Sequence, residues 1–333
     1  MDRYLGALEK VKQRLLMLDN VVGVGVGYKE SGLSRTSQPS MIVFVEKKVP
    51  KGELRSGHLV PAKLYDLDTD VIEIGRVRLL NRKEKSRPVY PGMSIGHYKI
   101  SAGTFGAVVK DRNTGERLIL SNNHILANSS DGIDNRASIG DPVLQPGSYD
   151  GGTEKDRIAT LIRFSPLLRT YQESECPVAV GLARIGSRLL NLFRPNYRMV
   201  LVKQNRSDNL IDAALARPDS PDLIEDEILE IGRVEGASNS SVGDKVLKSG
   251  RSSGLTSGTV TAIGVTLQVE LSGKEKGWFS DQVVTDMVSR PGDSGSLVVN
   301  QKKQAVGLLF AGSEKYTVFN RIQNVLDRLN IRF

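Results

Sequence analysis

The chain has 333 residues, 46 Lys+Arg against 38 Asp+Glu for a formal net charge of +8, 39% hydrophobic residues and one cysteine. That length admits two domains around soluble globular cores, and a lone cysteine, Cys176, excludes intramolecular disulfides. No run of ~18 apolar residues occurs and Met1–Gly6 shows no signal-peptide core, so no transmembrane helix and a cytoplasmic location are expected.

Leu5, Leu8, Val11, Leu15 and Leu18 recur at helical spacing over residues 3–18, and Asn20 ends the pattern. Val21 to Tyr28 alternates valine with glycine and reads as a strand under a close-packed neighbour. Gly23, Gly25 and Gly27 do not make a dinucleotide fingerprint, because no helix follows them. Further strands are expected at Met41–Val45 and Asp70–Ile74, with a turn at 49–52. These elements predict a small α/β accessory domain over 1–80, regulatory or partner-binding. Residues 1–90 carry 17 basic and 11 acidic residues, an excess of +6 against +2 for the remainder. That excess suits an anionic partner or a solvated surface; no nucleic-acid motif accompanies it, so no nucleic acid is expected. Residues 81–90 are charged and apolar-poor and read as a basic linker, the alternative being an edge of one continuous domain.

From residue 91 the pattern becomes short strands between glycine-rich turns, which predicts a mainly β, antiparallel barrel architecture over 91–333. One interruption is an apolar stripe over 181–193, Leu182, Ile185, Leu189 and Phe193, flanked by Arg184, Arg188, Arg194 and Arg198. A membrane-surface or partner-binding helix fits that stripe; packing on the protein's own core is the favoured reading. Ile322, Val325, Leu326 and Leu329 predict a closing helix.

Three motifs carry chemistry. Pro291-Gly292-Asp293-Ser294-Gly295-Ser296 is a tight glycine turn before the apolar run Leu297-Val298-Val299. Such a turn exposes a nucleophilic Ser294 and aims the N–H groups of Gly292 and Ser294 at one point, where a developing oxyanion would sit. His124 follows the apolar strand 118–121 through Ser121-Asn122-Asn123, which neither His58 nor His97 does, and is the candidate base. Asp212 lies within the apolar run 210–216, where a carboxylate requires a partner such as a histidine N–H. Asp208 is the alternative acid. The chain order is His124, Asp212, Ser294.

On these residues the chain resembles chymotrypsin-like (trypsin-like) serine peptidases over roughly its last three quarters. It looks closest to a bacterial intracellular branch related to plant narrow-leaf-type proteins, through Ser121-Asn122-Asn123-His124, Asp212-Ala213-Ala214-Leu215 and the stretch from Lys248 to Gly258. The resemblance implies two antiparallel six-stranded β-barrels after the α/β unit, with a His-Asp-Ser triad between them and no cofactor or metal. It implies a protein or peptide substrate bound along the strand 306–313, at Phe310, Ala311 and Gly312. Val288, six residues before the nucleophile, would form the base of the specificity pocket, with Gly312 and Thr317 as walls. An uncharged base disfavours cleavage after Arg or Lys. In zymogen-type relatives the carboxylate before the nucleophile pairs with a newly made N-terminus; Asp293 holds that position, but no Ile-Val-Gly-Gly precedes the barrel. Regulated proteolysis is expected, with residues 1–80 as propeptide, adaptor or assembly module. The competing class is a catalytically silent scaffold or binding module on the same fold.

Overall fold

The computed structural model describes residues 1–31, 34–55, 57–75, 81–99, 102–174, 176–205, 207–273 and 275–333. The chain divides into two compact units, Met1–Leu80 and Asn81–Phe333.

In the first unit, helix Asp2–Leu16 buries Leu8, Val11 and Leu15 against Met41, Val43, Val45 and Leu67. Its sheet orders the strands Val21–Ser31, Ser34–Val45, Leu67–Glu73 and Lys63–Leu64, with Ser34–Val45 and Leu67–Glu73 parallel and the other pairs antiparallel. The alternation of valine and glycine now has a cause. Val24 and Val26 lie opposite Val43 and Met41 on the helix side, whereas Gly23 and Gly25 lie opposite Phe44 and Ile42. A Cβ on Gly27 would stand 3.2 Å from Ile42 Cγ1, so the glycines leave room for large neighbours on the other face.

The second unit is mainly β and holds two sheets. Lys245–Gly250, Gly254–Ser272, Glu275–Thr285, Thr317–Arg321, Ala305–Gly312 and Leu297–Asn300 close into a six-stranded barrel. Its interior is filled by Val246, Val260, Val283, Met287, Val298, Val306, Leu309 and Phe319. The other sheet has eight strands and is open, running from Ile331–Arg332 through Ala107–Asp111, Arg117–Ser121, Ala214–Pro218, Arg157–Phe164, Pro142–Leu144 and Ser94–His97 to Gly103–Thr104. The expectation of two six-stranded barrels is therefore met by one closed barrel and one half-barrel. The reason lies at residues 103–106. Thr104 N–H donates to Ser294 O at 2.8 Å rather than to a strand of its own sheet, while Gly106 N–H reaches Leu120 O at 2.9 Å without a continuous ladder. The ring is broken where its edge reaches across to the nucleophile turn.

The segment expected to be a linker belongs to the second unit. Arg82 is buried and donates to Gly92 O at 3.1 Å, Ser249 Oγ at 2.7 Å and Glu230. Ser86 N–H and the Arg87 guanidinium are bonded to Gln145. Charge composition suggested solvent exposure, but partners distant in sequence satisfy these groups. Residues 76–80, immediately before it, lie outside the described residues.

Candidate active site

His124 sits in the single helical turn Asn123–Leu126, which follows the buried strand Arg117–Ser121. The turn is anchored by its flanking asparagines. Asn122 Nδ2 donates to Asp212 O at 2.7 Å, and Asn123 Nδ2 donates to Ser130 O and Ser165 O at 2.9 and 2.7 Å. Asp212 is 1% exposed, and both its carboxylate oxygens engage His124. Oδ2 meets the ring Nδ1, and Oδ1 accepts the His124 backbone N–H at 3.2 Å. A buried carboxylate held this way fixes both the ring plane and the tautomer, leaving Nε2 as the basic nitrogen. Asp208 is exposed and is not the acid that meets the ring.

A chain of amides holds Asp212 from behind. Its N–H donates to Asn320 Oδ1 at 3.0 Å, Asn320 Nδ2 donates to Gln282 Oε1 at 2.7 Å, and Gln282 Nε2 donates to Leu210 O at 2.9 Å. Asn320 and Gln282 belong to the closed barrel, so the acid of the half-barrel is positioned by the other sheet. Nothing in local sequence marks these two amides; only their complete burial singles them out.

The Ser294 turn requires its glycines. Gly292 and Gly295 have φ of 98° and 92°, the left-handed region that side chains disfavour. Each is also closely packed, since a Cβ on Gly292 would stand 2.2 Å from Arg251 Nη1 and one on Gly295 2.2 Å from Ser121 Oγ. Around the turn the N–H groups of Asp293, Gly295 and Ser296 donate to Arg290 O, Leu309 O and Ser296's near neighbour Asp293 O. Those of Gly292 and Ser294 have no acceptor among the described residues. The two N–H groups named from sequence as oxyanion donors are thus the two left open. The Ser294 hydroxyl donates to Phe310 O at 3.4 Å, a long bond, and among the described residues none joins it to His124.

Thr104 brings turn and base together. Its N–H donates to Ser294 O, its hydroxyl donates to Gly292 O at 2.9 Å, and its carbonyl accepts the Ser121 hydroxyl at 2.8 Å. A Cβ on the adjacent Gly103 would meet both Ile125, next to His124, and Ser294 O at 2.9 Å. Only glycine lets the two elements approach there.

Beneath the turn lies a buried charge pair. Asp293 and Lys248 are both fully buried, Nζ to Oδ2 3.0 Å. The carboxylate also accepts the N–H groups of Ser252, Ser253 and Arg290 at 2.9, 3.0 and 2.9 Å and the Ser253 hydroxyl. Burial pushes its pKa upward, but the Lys248 ammonium and these hydrogen bonds prevail and hold it below the ordinary carboxylate range. Burial likewise lowers the pKa of Lys248, against the pull of Asp293. The position weighed for a newly made N-terminus is therefore taken by an internal ammonium.

The residues expected to set specificity divide. Along one edge, strand Ala305–Gly312 pairs with Leu297–Asn300 as far as Leu308 and Leu309 bonds Gly295 and Ser296; beyond Leu309 the pairing is on its other edge, Ala311 with Val318 and Gly312 with Thr317. Phe310 to Gly312 therefore present a backbone edge next to Ser294. Thr317 is buried and bonded through its hydroxyl to Met287 O at 2.6 Å and Ser289 Oγ at 2.7 Å, so it braces a wall rather than lining an open surface. Val288 is 61% exposed and closes no pocket base. Its neighbour Met287 turns inward into the barrel core, which sends Val288 outward.

A family model described as the Nal1 C-terminal domain matches residues 226–325, a span that includes Lys248, Asp293 and Ser294 but neither His124 nor Asp212. No curated protein matches the chain. Chymotrypsin-like serine proteases are among the similar solved structures. A Nocardiopsis protease is 17% identical, with 73% of this chain and 97% of that one covered and a TM-score of 0.46. Thermobifida fusca protease A is 15% identical, with 73% and 96% covered and a TM-score of 0.46. A glutamic-acid-specific serine protease, described as using a histidine triad in substrate binding, is 17% identical, with 73% and 99% covered and a TM-score of 0.45.

Proposed function

We propose that residues 81–333 form a serine endopeptidase domain in which Ser294 attacks a peptide carbonyl. His124 Nε2 takes the hydroxyl proton and returns it to the leaving amine. Asp212 holds the ring and stabilises the imidazolium, and the N–H groups of Gly292 and Ser294 receive the oxyanion. The observation that carries this reading is the double engagement of His124 by a carboxylate that is 1% exposed. A buried acid spent on one partly exposed imidazole has little structural purpose and an evident catalytic one. Substrate backbone would add to the free edge at Phe310–Gly312. Phe310, Ala311 and Gly312, which would flank the substrate side chain, carry no carboxylate, which favours uncharged side chains over Arg or Lys. The Nal1 match over 226–325 supports a relation to the plant narrow-leaf-type proteins. Cytoplasmic, regulated activity, with residues 1–80 recruiting or restraining, completes the reading.

The long Ser294–Phe310 bond favours a second reading, a peptidase-fold scaffold whose hydroxyl is not engaged by its base, although such bonds commonly tighten only with substrate bound. A fluorophosphonate probe separates the two. The enzyme reading expects labelling of the full chain that disappears in Ser294→Ala and falls sharply in His124→Ala. A folded chain that takes no label leaves the scaffold.

A further inference from the structure

Helix Pro177–Phe193 buries none of its residues, against the expectation that its apolar stripe packs on the protein's own core. Val178, Leu182, Ile185, Leu189 and Leu192 recur at intervals of three and four, so they form one face, with Phe193 at its edge. All six are between 58% and 83% exposed. The back and one flank are covered by the returning chain. Ser187 Oγ accepts Met199 N–H at 2.9 Å, and Gly186 lies so close to Met199 that a Cβ would stand 2.6 Å from its sulfur. Serine on the back and glycine at the flank admit the chain; leucine and isoleucine on the front stay more than half exposed.

The excursion is held firmly at its root. Tyr171–Glu173 pairs antiparallel with Val202–Gln204, and just before it Arg169 is buried with Asp131, Asp134 and Glu275. The helix is therefore a built projection of the second unit. Its charge has one sign. Residues 177–204 contain Arg184, Arg188, Arg194, Arg198 and Lys203 and no Asp or Glu. Arg198 reaches the exposed Glu173 at 3.5 Å, whereas Arg184, Arg188 and Arg194 have no ion pair among the described residues.

We infer that this helix docks on an anionic phospholipid bilayer, lying in the interface with its apolar face in the acyl boundary and its arginines among the phosphates. The combination selects the occupant. A nucleic acid would answer the arginines but not six large apolar side chains. A second copy would cover the apolar face but bring two rows of arginine together, with no carboxylate in the segment to pair them. An anionic bilayer answers both. Among the described residues no helix is long and apolar enough to cross a membrane, so the association is peripheral.

The test uses the full chain, sedimented with vesicles of phosphatidylcholine alone and of phosphatidylcholine with phosphatidylserine. Binding is expected to the anionic vesicles, weakened by salt and much weaker on the neutral ones. Arg184→Gln with Arg188→Gln should reduce partitioning about 25-fold, at roughly fivefold per arginine near the surface. Leu182→Ser with Leu189→Ser should remove it, while melting stays unchanged because both leucines are exposed. Phe193→Trp adds a reporter whose emission should shift to the blue with anionic vesicles only. Equal binding to both vesicle types, wild-type binding by the two double variants, or an unshifted Phe193→Trp overturns the inference. So does a concentration-dependent dimer dispersed by the leucine variant, which would assign the face to a second copy.

Discussion

The second unit contains two histidine–aspartate pairs, and they are inverted with respect to water. In His97–Asp141 the imidazole is fully buried and the carboxylate partly exposed, with Nε2 to Oδ2 at 3.0 Å. In His124–Asp212 the carboxylate is buried and the imidazole is 24% exposed. The same two side chains therefore serve opposite ends. A sealed imidazole can brace strand Ser94–His97 but cannot meet a substrate. An imidazole at the surface with its acid sealed behind it has one nitrogen fixed and the other free for proton transfer. On the proposed reading, burial order, more than the presence of the pair, separates the catalytic imidazole from the architectural one.

The largest effects should fall on one pair and spare the other. Ser294→Ala or His124→Ala should reduce peptide hydrolysis by about 10⁶-fold, because such groups act as a unit. Asp212→Asn should reduce it by about 10⁴-fold through loss of the correct tautomer. Asp141→Asn and His97→Gln should leave the rate within a few-fold of wild type and act on stability instead. Rates on a common peptide, with melting curves for every variant, check this; an Asp141→Asn rate as low as that of Asp212→Asn would erase the distinction.

Lys248–Asp293 tests what happens when both members are sealed. Lys248→Met leaves a buried carboxylate without its counter-charge and should destabilise the fold by about 3–5 kcal/mol. Adding Asp293→Asn should restore stability but not activity, since the carboxylate also fixes the N–H groups of Ser252, Ser253 and Arg290 around the turn. Denaturant unfolding and hydrolysis rates read the two quantities separately. Because burial lowers the Lys248 pKa, the ammonium is lost at a lower pH than for an ordinary lysine. Activity should fall there as the turn loses its anchor.

Smaller effects follow from pH. Burial lowers the His97 pKa despite Asp141, so as pH falls the unfolded chain takes up this proton before the folded state does. Stability from His97 is complete above the ordinary histidine range and declines as pH falls through that range toward its lowered value. His97→Gln should remove that part of the acid sensitivity in melting curves. The smallest change is expected at Asp111, whose hydrogen bonds from Arg163 and from the N–H groups of Thr114 and Asn113 hold its pKa at about 2. Its contribution is complete above the ordinary carboxylate range and lost as pH falls toward about 2. Asp111→Asn should therefore melt lower than wild type at neutral pH and converge with it in strong acid.

Much of the site was legible along the chain because its members sit at strand ends, where pattern and chemistry coincide. Ser294 is marked by two glycines in left-handed conformations, His124 by a polar step after an apolar strand, and Asp212 by a charge inside an apolar run. Thr104, Asn320 and Gln282 carry no such mark. They are ordinary polar residues that matter because the half-barrel and the closed barrel meet there. Lys248 was visible only as part of a motif, since nothing local shows that its ammonium runs inward to Asp293.

Sequence by itself determined periodicity and turn chemistry, and with them the helix of the first unit, its valine–glycine strand, the many short strands of the second unit and the three residues of the candidate triad. These depend on local sterics and on alternation, which neighbours in the chain express directly. Tertiary structure alone decided which charges are sealed and which are open. It drew residues 81–90 into the second unit through Arg82, sent Val288 outward by turning Met287 in, and broke the first ring at Thr104 to reach Ser294. It also left the stripe of helix Pro177–Phe193 facing solvent rather than the core. Burial depends on partners far away in sequence, and an amphipathic pattern specifies that a face must be covered without specifying by what.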